Sequence, residues 1–117
     1  MKLYISLIAV TVILSFTTKI DAQDFYIHEN GVTIVCDNAE VGESGIIDGT
    51  TYTKRTKDQI TIENASTTCT SGIIDMNALF RDATTFNGVI GHWDVSKVTD
   101  MNKMFNTATR FNQDISA

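Results

Sequence analysis

Few residues in this chain are of a type and spacing able to do covalent chemistry, and the two cysteines carry the clearest signal. Cys36 and Cys69 are the only cysteines among the 117 residues. An even number of cysteines in an exported chain favours a disulfide. The bond would close a loop of about 34 residues and stabilise the fold by roughly 4 kcal/mol in the chain-entropy model. Two buried free thiols are the alternative, whereas a metal site is disfavoured because neither cysteine has a partner at ligand spacing.

No other residues are arranged as a catalytic site. His28 and His92 lie far apart along the chain, the serines lack a nucleophile-elbow pattern, and no glycine-rich phosphate loop is present. Asp75 and Asp100 occupy equal positions of a repeat, which favours a capping role over a unique acid–base pair. We therefore expect no enzyme activity, no catalytic residues, no cofactor and no metal. A small secreted hydrolase is the alternative of another class, and it would be supported if hydrolysis depended on His92 or Asp94.

A β-hairpin is the element predicted to position Cys36. Asn30-Gly31 separates two β-rich runs, and this dipeptide is a strong signal for a two-residue hairpin loop because both residues tolerate positive φ. In the resulting register Ile27 faces Ile34. The side chains predicted on the buried face are those of Phe25, Ile27, Ile34 and Cys36.

A second hairpin is predicted around Asp48-Gly49, with strands at residues 46–47 and 50–53. Residues 60–62 alternate in polarity and predict a further strand. Lys54, Arg55 and Lys57 form a small basic cluster that we interpret as a solvated strand end or turn.

A repeat of 25 residues occupies the C-terminal part of the chain. Residues 71–92 and 96–117 are identical at ten of 22 aligned positions. In each copy, apolar residues at i, i+3, i+4 and i+7 follow an aspartate, which predicts a short helix capped by that aspartate. This stripe needs a neighbouring copy to bury it. The predicted repeat core consists of Met76, Phe80, Phe86, Ile90, Trp93, Met101, Met104, Phe105, Phe111 and Ile115.

These elements together predict an α+β fold. An N-terminal β-hairpin module would cap a leucine-rich-repeat-like solenoid of short helix plus short strand repeats, because about 25 residues is the period of such solenoids. The predicted domains are a signal peptide at residues 1–22, the β module at 23–69, and the repeats at 70–117, with the second copy incomplete. Since no further copy follows, Met101, Met104, Phe105 and Phe111 are expected to be partly exposed.

The N-terminal segment has the pattern of a secretory signal peptide. Lys2 precedes an apolar run from Leu3 to Phe16, and Ala22 is a small residue at a suitable cleavage point. The run is shorter than the roughly 20 residues of a membrane-spanning helix. We therefore predict a secreted or cell-surface protein without a transmembrane helix after cleavage. The net charge of −5 disfavours nucleic acid as a partner, because phosphate would be repelled.

The second copy contains motifs that characterise a known family. They are Trp93-Asp94-Val95-Ser96, Val98-Thr99-Asp100-Met101, Met104-Phe105, Ala108 and the run from Phe111 to Ile115. The first copy matches less closely, and the two together cover residues 73–117. These motifs resemble the BspA-type leucine-rich-repeat family of bacterial surface proteins, whose repeat also occurs in mycoplasma lipoproteins. The resemblance implies surface display and adhesion to macromolecules of the host or of neighbouring cells, either protein or glycan.

Two non-catalytic functions follow from this resemblance. The first is adhesion or macromolecule binding, with specificity at positions that differ between the copies, such as Arg81/Asn106, Asp82/Thr107 and Thr85/Arg110. The alternative is a purely structural role as the N-terminal cap of a longer repeat array. Members of the family usually carry many repeats, so the chain is interpreted as a fragment, a truncated gene or one piece of a longer product.

Overall fold

The computed structural model describes residues 24–117, and the signal peptide predicted at residues 1–22 lies outside the described residues. The described chain contains five short strands, namely β1 (Tyr26–Ile27), β2 (Ile34–Val35), β3 (Ser44–Ile47), β4 (Thr50–Lys54) and β5 (Thr68–Cys69). Two single 3-10 turns, Lys57–Gln59 and Ala65–Thr67, lie between β4 and β5. Strands β1 and β2 form one antiparallel pair, whereas β3, β4 and β5 form a second sheet in that order, with β5 parallel to β4.

The predicted α+β class and the predicted solenoid of helix-and-strand repeats are wrong. Residues 24–117 contain no α-helix, and they form a small β-rich domain whose C-terminal part consists of turns. Apolar spacings of three and four residues suit an α-helix, but they suit a chain of four-residue turns equally well. Here Ala78 and Asp82 have φ of 58° and 60°, and Lys103 and Thr107 have φ of 58° and 63°. A left-handed residue at every fourth position is incompatible with a right-handed helix.

The first hairpin has the predicted register but a different loop. Ile27 pairs with Ile34 as expected. The loop is longer than two residues, because the amide of His28 donates to Thr33 O at 2.7 Å and the amide of Gly31 donates to His28 O at 2.9 Å. Asn30 Oδ1 accepts hydrogen bonds from the amides of Val32 and Thr33, which stabilises this wider loop. Ile27 is 38% exposed, so it does not lie on a buried face as predicted.

The second hairpin forms with a two-residue turn. Asp48 and Gly49 have φ of 48° and 83°, the combination that a type I′ turn requires. Residues 60–62 do not form the predicted strand. Instead, Ile60 is buried against the repeats, while Ile62 is 44% exposed.

Two hydrophobic clusters make up the core of the described residues. The first surrounds the predicted disulfide, which is confirmed between Cys36 and Cys69 and joins the end of β2 to β5. The second cluster is the interior of the repeats and also includes Ile60 and Ala65. Residues 60–65 therefore pack with the repeats, although they precede the boundary predicted at residue 70.

Candidate functional site

The two copies of the repeat are joined by a ladder of main-chain hydrogen bonds. Every second amide from Met76 to Asp82 donates to a carbonyl oxygen of the second copy, at 2.8–2.9 Å. The amides of Leu79 and Arg81, which lie between them, donate to the third residue before them and so close the turns. The donors of the ladder are Met76, Ala78, Phe80 and Asp82, and the matching acceptors are Asp100, Asn102, Met104 and Asn106.

Aromatic rings stack between the copies on the inner side of this ladder. The ring centroids of Phe80 and Phe105 are 5.8 Å apart, and those of Phe86 and Phe111 are 5.5 Å apart, with nearly parallel planes. Trp93 lies beside Phe80, and its Nε1 donates to Ala65 O at 3.0 Å. Stacked rings and an indole with a bonded N–H are typical of a packed interior.

Several polar residues that are identical in the two copies either join the copies by hydrogen bonds or cap the turns within each copy. Asn87 Oδ1 accepts from the amide of Asn112 at 2.8 Å and from Gln113 Nε2 at 3.1 Å. Asp75 and Asp100 each accept the amide two residues ahead through their own Oδ1. The aspartates therefore cap turns and not helices, while Asn87 joins the copies along their edge.

The ten predicted core residues differ in burial between the copies. Phe105 and Phe111 are half-buried, whereas Met101 and Ile115 are 45% and 52% exposed. The other six are buried, namely Met76, Phe80, Phe86, Ile90, Trp93 and Met104. The apolar side chains of the first copy thus pack between the second copy and residues 60–65, whereas the equivalent side chains of the second copy pack against the first copy alone.

We call the outer side of the second copy the open face, defined by Met101, Phe105, Phe111 and Ile115. A cavity of about 240 Å³ lies at this face, and its lining is mainly apolar. Trp93 and Met104 line it together with Met101, Phe105 and Ile115 of the open face.

A buried polar network connects the β strands to the first copy. Ser71 Oγ accepts from the amide of Cys36 at 2.9 Å and donates to Asp94 Oδ2 at 2.7 Å. Thr70 Oγ1 donates to Asp94 O at 2.9 Å. Because both hydroxyls are almost completely buried, these bonds hold the disulfide region and the repeats in one arrangement. We call Thr70, Ser71, His92 and Asp94 the junction network.

Sequence reasoning did not find the serine and the threonine of this network. The only available signal was the identity of Ser71 and Ser96 at equal repeat positions. Ser96 is exposed, whereas Ser71 is 2% exposed. The repeat pattern alone therefore does not separate the structural serine from its surface equivalent.

The two ionisable members of the junction network have shifted pKa values. Burial lowers the pKa of His92 below its usual value, and the hydrogen bond to Thr68 O opposes this only in part. Burial alone would raise the pKa of Asp94, but hydrogen bonds from Ser96 and Ser71 and the nearby charge of Lys97 together bring it below its usual value. At neutral pH the network therefore contains a neutral imidazole and an ionised carboxylate.

Serine, histidine and aspartate thus lie near one another, but their bonds are not those of a catalytic triad. The Ser71 hydroxyl donates to Asp94 and not to a histidine. His92 Nε2 lies 2.9 Å from Thr68 O, and because a carbonyl oxygen only accepts, Nε2 carries the proton there. A base with its Nε2 proton already committed to a carbonyl is not aimed at a nucleophile.

The basic cluster lies at the end of β4 and in the turn after it, as predicted, but its side chains are partly buried and bonded to the chain. Lys54 Nζ donates to Cys36 O at 3.0 Å and to Ala39 O at 2.8 Å. Arg55 Nη1 donates to Thr68 Oγ1 at 2.8 Å, while Lys57 pairs with Asp75 at 3.6 Å. These side chains border a cleft of about 550 Å³, and each of them is already bonded to another part of the chain.

Among residues 24–117, no three histidine, cysteine, aspartate or glutamate side chains are grouped so that they could hold a metal ion. The described part of the chain also has no helix that is both long and apolar enough to cross a membrane.

A family model described as "Mycoplasma protein of unknown function, DUF285" matches residues 50–117. The chain belongs to the DUF285 family. The DUF285 region starts at Thr50, the first residue of β4, and so includes Ile60, Ala65 and Cys69 in addition to both copies of the repeat. This extent agrees with the packing, in which residues 60–65 cover the first copy. No curated protein and no solved structure was found to match the chain.

Proposed function

We propose that the chain is an exported, cell-surface protein of the BspA type that binds protein or glycan of a host or neighbouring cell, without catalysis. The observation that carries this proposal is the placement of identical and differing residues within the DUF285 region. Most apolar side chains of the interior are identical in the two copies, whereas many side chains that differ between them are exposed. The exposed, differing positions include Arg81, Asp82, Thr85, Asn106, Thr107 and Arg110.

Two further features support this function. The disulfide suits an oxidising environment outside the cytoplasm. The ladder holds the differing side chains in two parallel rows, and such fixed rows are the kind of surface through which repeat proteins bind macromolecules. A role as a hydrolase is not favoured, because His92 and Asp94 are buried and committed to neighbours within the fold.

Binding can be tested with the full-length protein on a glycan array and a panel of extracellular-matrix proteins. We expect a selective ligand whose binding is weakened roughly tenfold or more by the double substitution Arg81→Glu and Arg110→Glu. The matched control reverses two exposed charges outside the DUF285 region, Glu29→Lys and Glu40→Lys, and should bind normally. Equal loss in both variants, or no selective ligand at all, would contradict the proposal.

Export can be tested separately by expressing the full-length gene in a bacterial host. We expect a product in the medium or at the cell surface that begins near Gln23, as measured by intact-mass spectrometry. A product that stays inside the cell with its thiols reduced would contradict the proposed location.

A structural role as an N-terminal cap is the second candidate. It is favoured by Ile60 and Ala65, which are buried in the same hydrophobic cluster as Met76 and Phe80 of the first copy. A pure cap would bind no ligand on the arrays above, yet the repeats would lose stability when Ile60 is replaced by Asp.

A further inference from the structure

The cleft beside the basic cluster lies where the β strands meet the start of the repeats. Its volume is about 550 Å³, within the range of roughly 300–1,000 Å³ that is typical of ligand sites. The described residues that line it come from Val41, from residues 54–58 and from residues 71–75. The disulfide and the junction network hold these segments together, so the cleft has a fixed shape.

Arg55 lines the cleft with one edge of its guanidinium group unused. Its amide donates to Cys69 O at 3.3 Å, and its Nη1 donates to Thr68 Oγ1 at 2.8 Å and to Thr67 O at 3.4 Å. Within residues 24–117, Nε and Nη2 donate to no acceptor. These two nitrogens form the edge through which a guanidinium group binds a carboxylate by two parallel hydrogen bonds. Because Nη1 already fixes the side chain, little further freedom is lost on binding.

The charge of the cleft is opposite in sign to that of the chain. Lys54, Arg55 and Lys57 line it together with two carboxylates, those of Asp58 and Asp75. These five side chains give a net charge of +1, whereas the chain carries −5. Lys57 and Asp75 are 3.6 Å apart and both partly exposed, so their ion pair is weak and Lys57 can exchange it for a ligand carboxylate. The cleft therefore attracts an anionic group that the surrounding acidic surface repels.

Aliphatic side chains line the cleft beside these charges. They are Val41, Ile73 and Ile74, of which the first and the last are strongly exposed. Gly72 has a φ of 90° and open space where a side chain would project, so a ligand can approach the main chain there. No aromatic residue is among the described residues of the lining, whereas the C–H groups of a sugar pack on the negative face of such rings. An acidic polypeptide with an aliphatic side chain therefore fits the cleft better than a glycan does.

We propose that this cleft binds an acidic segment of a partner polypeptide in which an aspartate or glutamate lies next to an aliphatic residue. The carboxylate accepts hydrogen bonds from Nε and Nη2 of Arg55, and the aliphatic side chain packs against Ile73 and Ile74. The site is separate from the exposed rows of the repeats. The proposal therefore goes beyond the function proposed above and is tested independently of it.

The test uses full-length oxidised protein labelled with ¹⁵N and the blocked peptide acetyl-Gly-Ile-Glu-Ile-Gly-amide. We expect saturable, one-to-one shifts of the Arg55 Nε–H signal and of the Gly72 amide signal in NMR spectra. The same peptide with glutamine in place of glutamate keeps the size and loses the charge. It should bind roughly tenfold more weakly or worse, because an uncharged amide cannot replace the carboxylate at the guanidinium edge.

A pair of protein variants gives the matched control. Ile74→Glu adds a carboxylate to the cleft and should weaken binding of the peptide roughly tenfold or more, whereas Ile46→Glu, at an exposed position of β3 outside the cleft, should not. Both positions are exposed, so both variants should fold, as checked by thermal unfolding. The double variant Arg81→Glu and Arg110→Glu should bind the peptide normally, which separates this site from the rows of the repeats. The proposal fails if no saturable shift is seen, if the glutamine peptide binds equally, if Ile74→Glu binds normally, or if an oligosaccharide of glucuronic acid shifts the Arg55 signal at a lower concentration than the peptide does.

Discussion

Four residues with positive φ determine how the chain turns within the repeats. They are Ala78 and Asp82 in the first copy and Lys103 and Thr107 in the second. Each left-handed L-residue costs about 1–2 kcal/mol, and a β-branched residue such as threonine is especially unsuited to this region. In the first copy, the hydrogen bonds of the ladder and the apolar contacts offset that cost. Thr107 lies in the second copy, whose open face makes fewer contacts, so a smaller part of the cost is offset there.

Replacement of Thr107 by glycine is expected to raise the free energy of unfolding by about 1 kcal/mol, because glycine adopts positive φ without steric cost. The hydroxyl that is lost bonds only to exposed Asn106. Chemical denaturation monitored by Trp93 fluorescence measures the change. The control is Thr109→Gly, whose φ is not positive, and which should lower stability by about 0.5–1 kcal/mol. A destabilised Thr107→Gly variant would show that the left-handed conformation is not strained.

His92 makes the stability of the fold depend on pH. Burial lowers its pKa in the folded state, so the unfolded chain takes up a proton at higher pH than the folded chain does. Its contribution is complete above about pH 6.5, the ordinary histidine pKa, and is lost as the pH falls through the lower folded-state pKa. Tyr52, whose ring lies 5.1 Å from that of His92, shares this buried environment.

The substitution His92→Gln is expected to remove the part of the pH dependence that begins just below pH 6.5. Glutamine keeps a donor for Thr68 O but does not titrate. Unfolding midpoints at a series of pH values from 7.5 to 4.5 would give the slope for each protein. His28→Gln replaces the exposed histidine and should leave the slope in place. Parallel slopes for wild type and His92→Gln would contradict this role for the imidazole.

At the scale of elements, the junction network and the disulfide fasten the small sheets to the repeats. Strands of two to five residues contribute few ladder bonds, so the connection depends on Ser71 between Cys36 and Asp94, and on the Cys36–Cys69 bond. Burial opposes the charged form of Asp94, but hydrogen bonds from Ser96 and Ser71 and the charge of Lys97 stabilise it and lower the pKa.

The substitution Ser71→Ala should therefore destabilise the protein by about 2–3 kcal/mol, because the buried amide of Cys36 loses its acceptor and Asp94 loses a donor. Ser96→Ala, at the equivalent position of the second copy, should cost less than about 1 kcal/mol, since Ser96 is exposed and water can replace its side-chain hydrogen bond to Asp94. Thermal unfolding of the pair provides the comparison. Equal losses would mean that the junction network does not carry the connection.

Removal of the disulfide by Cys36→Ala and Cys69→Ala should lower the free energy of unfolding by about 4 kcal/mol, as the chain-entropy model predicts for this loop. Oxidised wild type and the double variant can be compared by denaturant titration. Reduced wild type is the control and should resemble the variant. An oxidised protein no more stable than the variant would mean that the bond adds nothing to the fold.

For the molecule as a whole, the main feature is a gradient of burial along the repeats. Met76 is inaccessible, whereas Met101, its equivalent, is 45% exposed. Ala65, Ile90 and Ile115 form a similar series with 0%, 5% and 52% exposure. One side of the repeats is covered by residues 60–65, and the other side is the open face.

This gradient predicts a matching gradient in hydrogen exchange. The ladder amides of Met76 and Phe80 should exchange slowly, and the equivalent amides of Met101 and Phe105 should exchange near the rate of an unstructured peptide. Exchange measured by NMR on dilute monomer gives both rates in one experiment. Strong protection of Phe105 in that monomer would contradict the open face.

Several features of the fold follow from the sequence because they depend on local chemistry. Asp48-Gly49 predicts a turn that needs two positive φ values, and the turn forms. The even cysteine pair predicts the disulfide, which is present. The 25-residue offset pairs each phenylalanine with the residue on which it stacks, since the same side-chain pattern recurs at equal positions. The predicted helices of the repeats and the predicted strand at residues 60–62 were wrong. The spacing of apolar residues indicates which side chains are buried, but it does not determine the φ values of the residues between them.

The sequence by itself determined the repeat, its apolar positions and the pairing of its cysteines, because these depend on residue type and spacing along one chain. Only the tertiary structure decided that the repeats are turns joined by a ladder, that Ser71 is buried while Ser96 is exposed, and that one row of amides has no acceptor within residues 24–117. Each of these depends on which segments meet in space. Identical residues in the two copies therefore have different surroundings, and the cysteines and Ser71 stabilise the fold through contacts that form only when distant segments pack together.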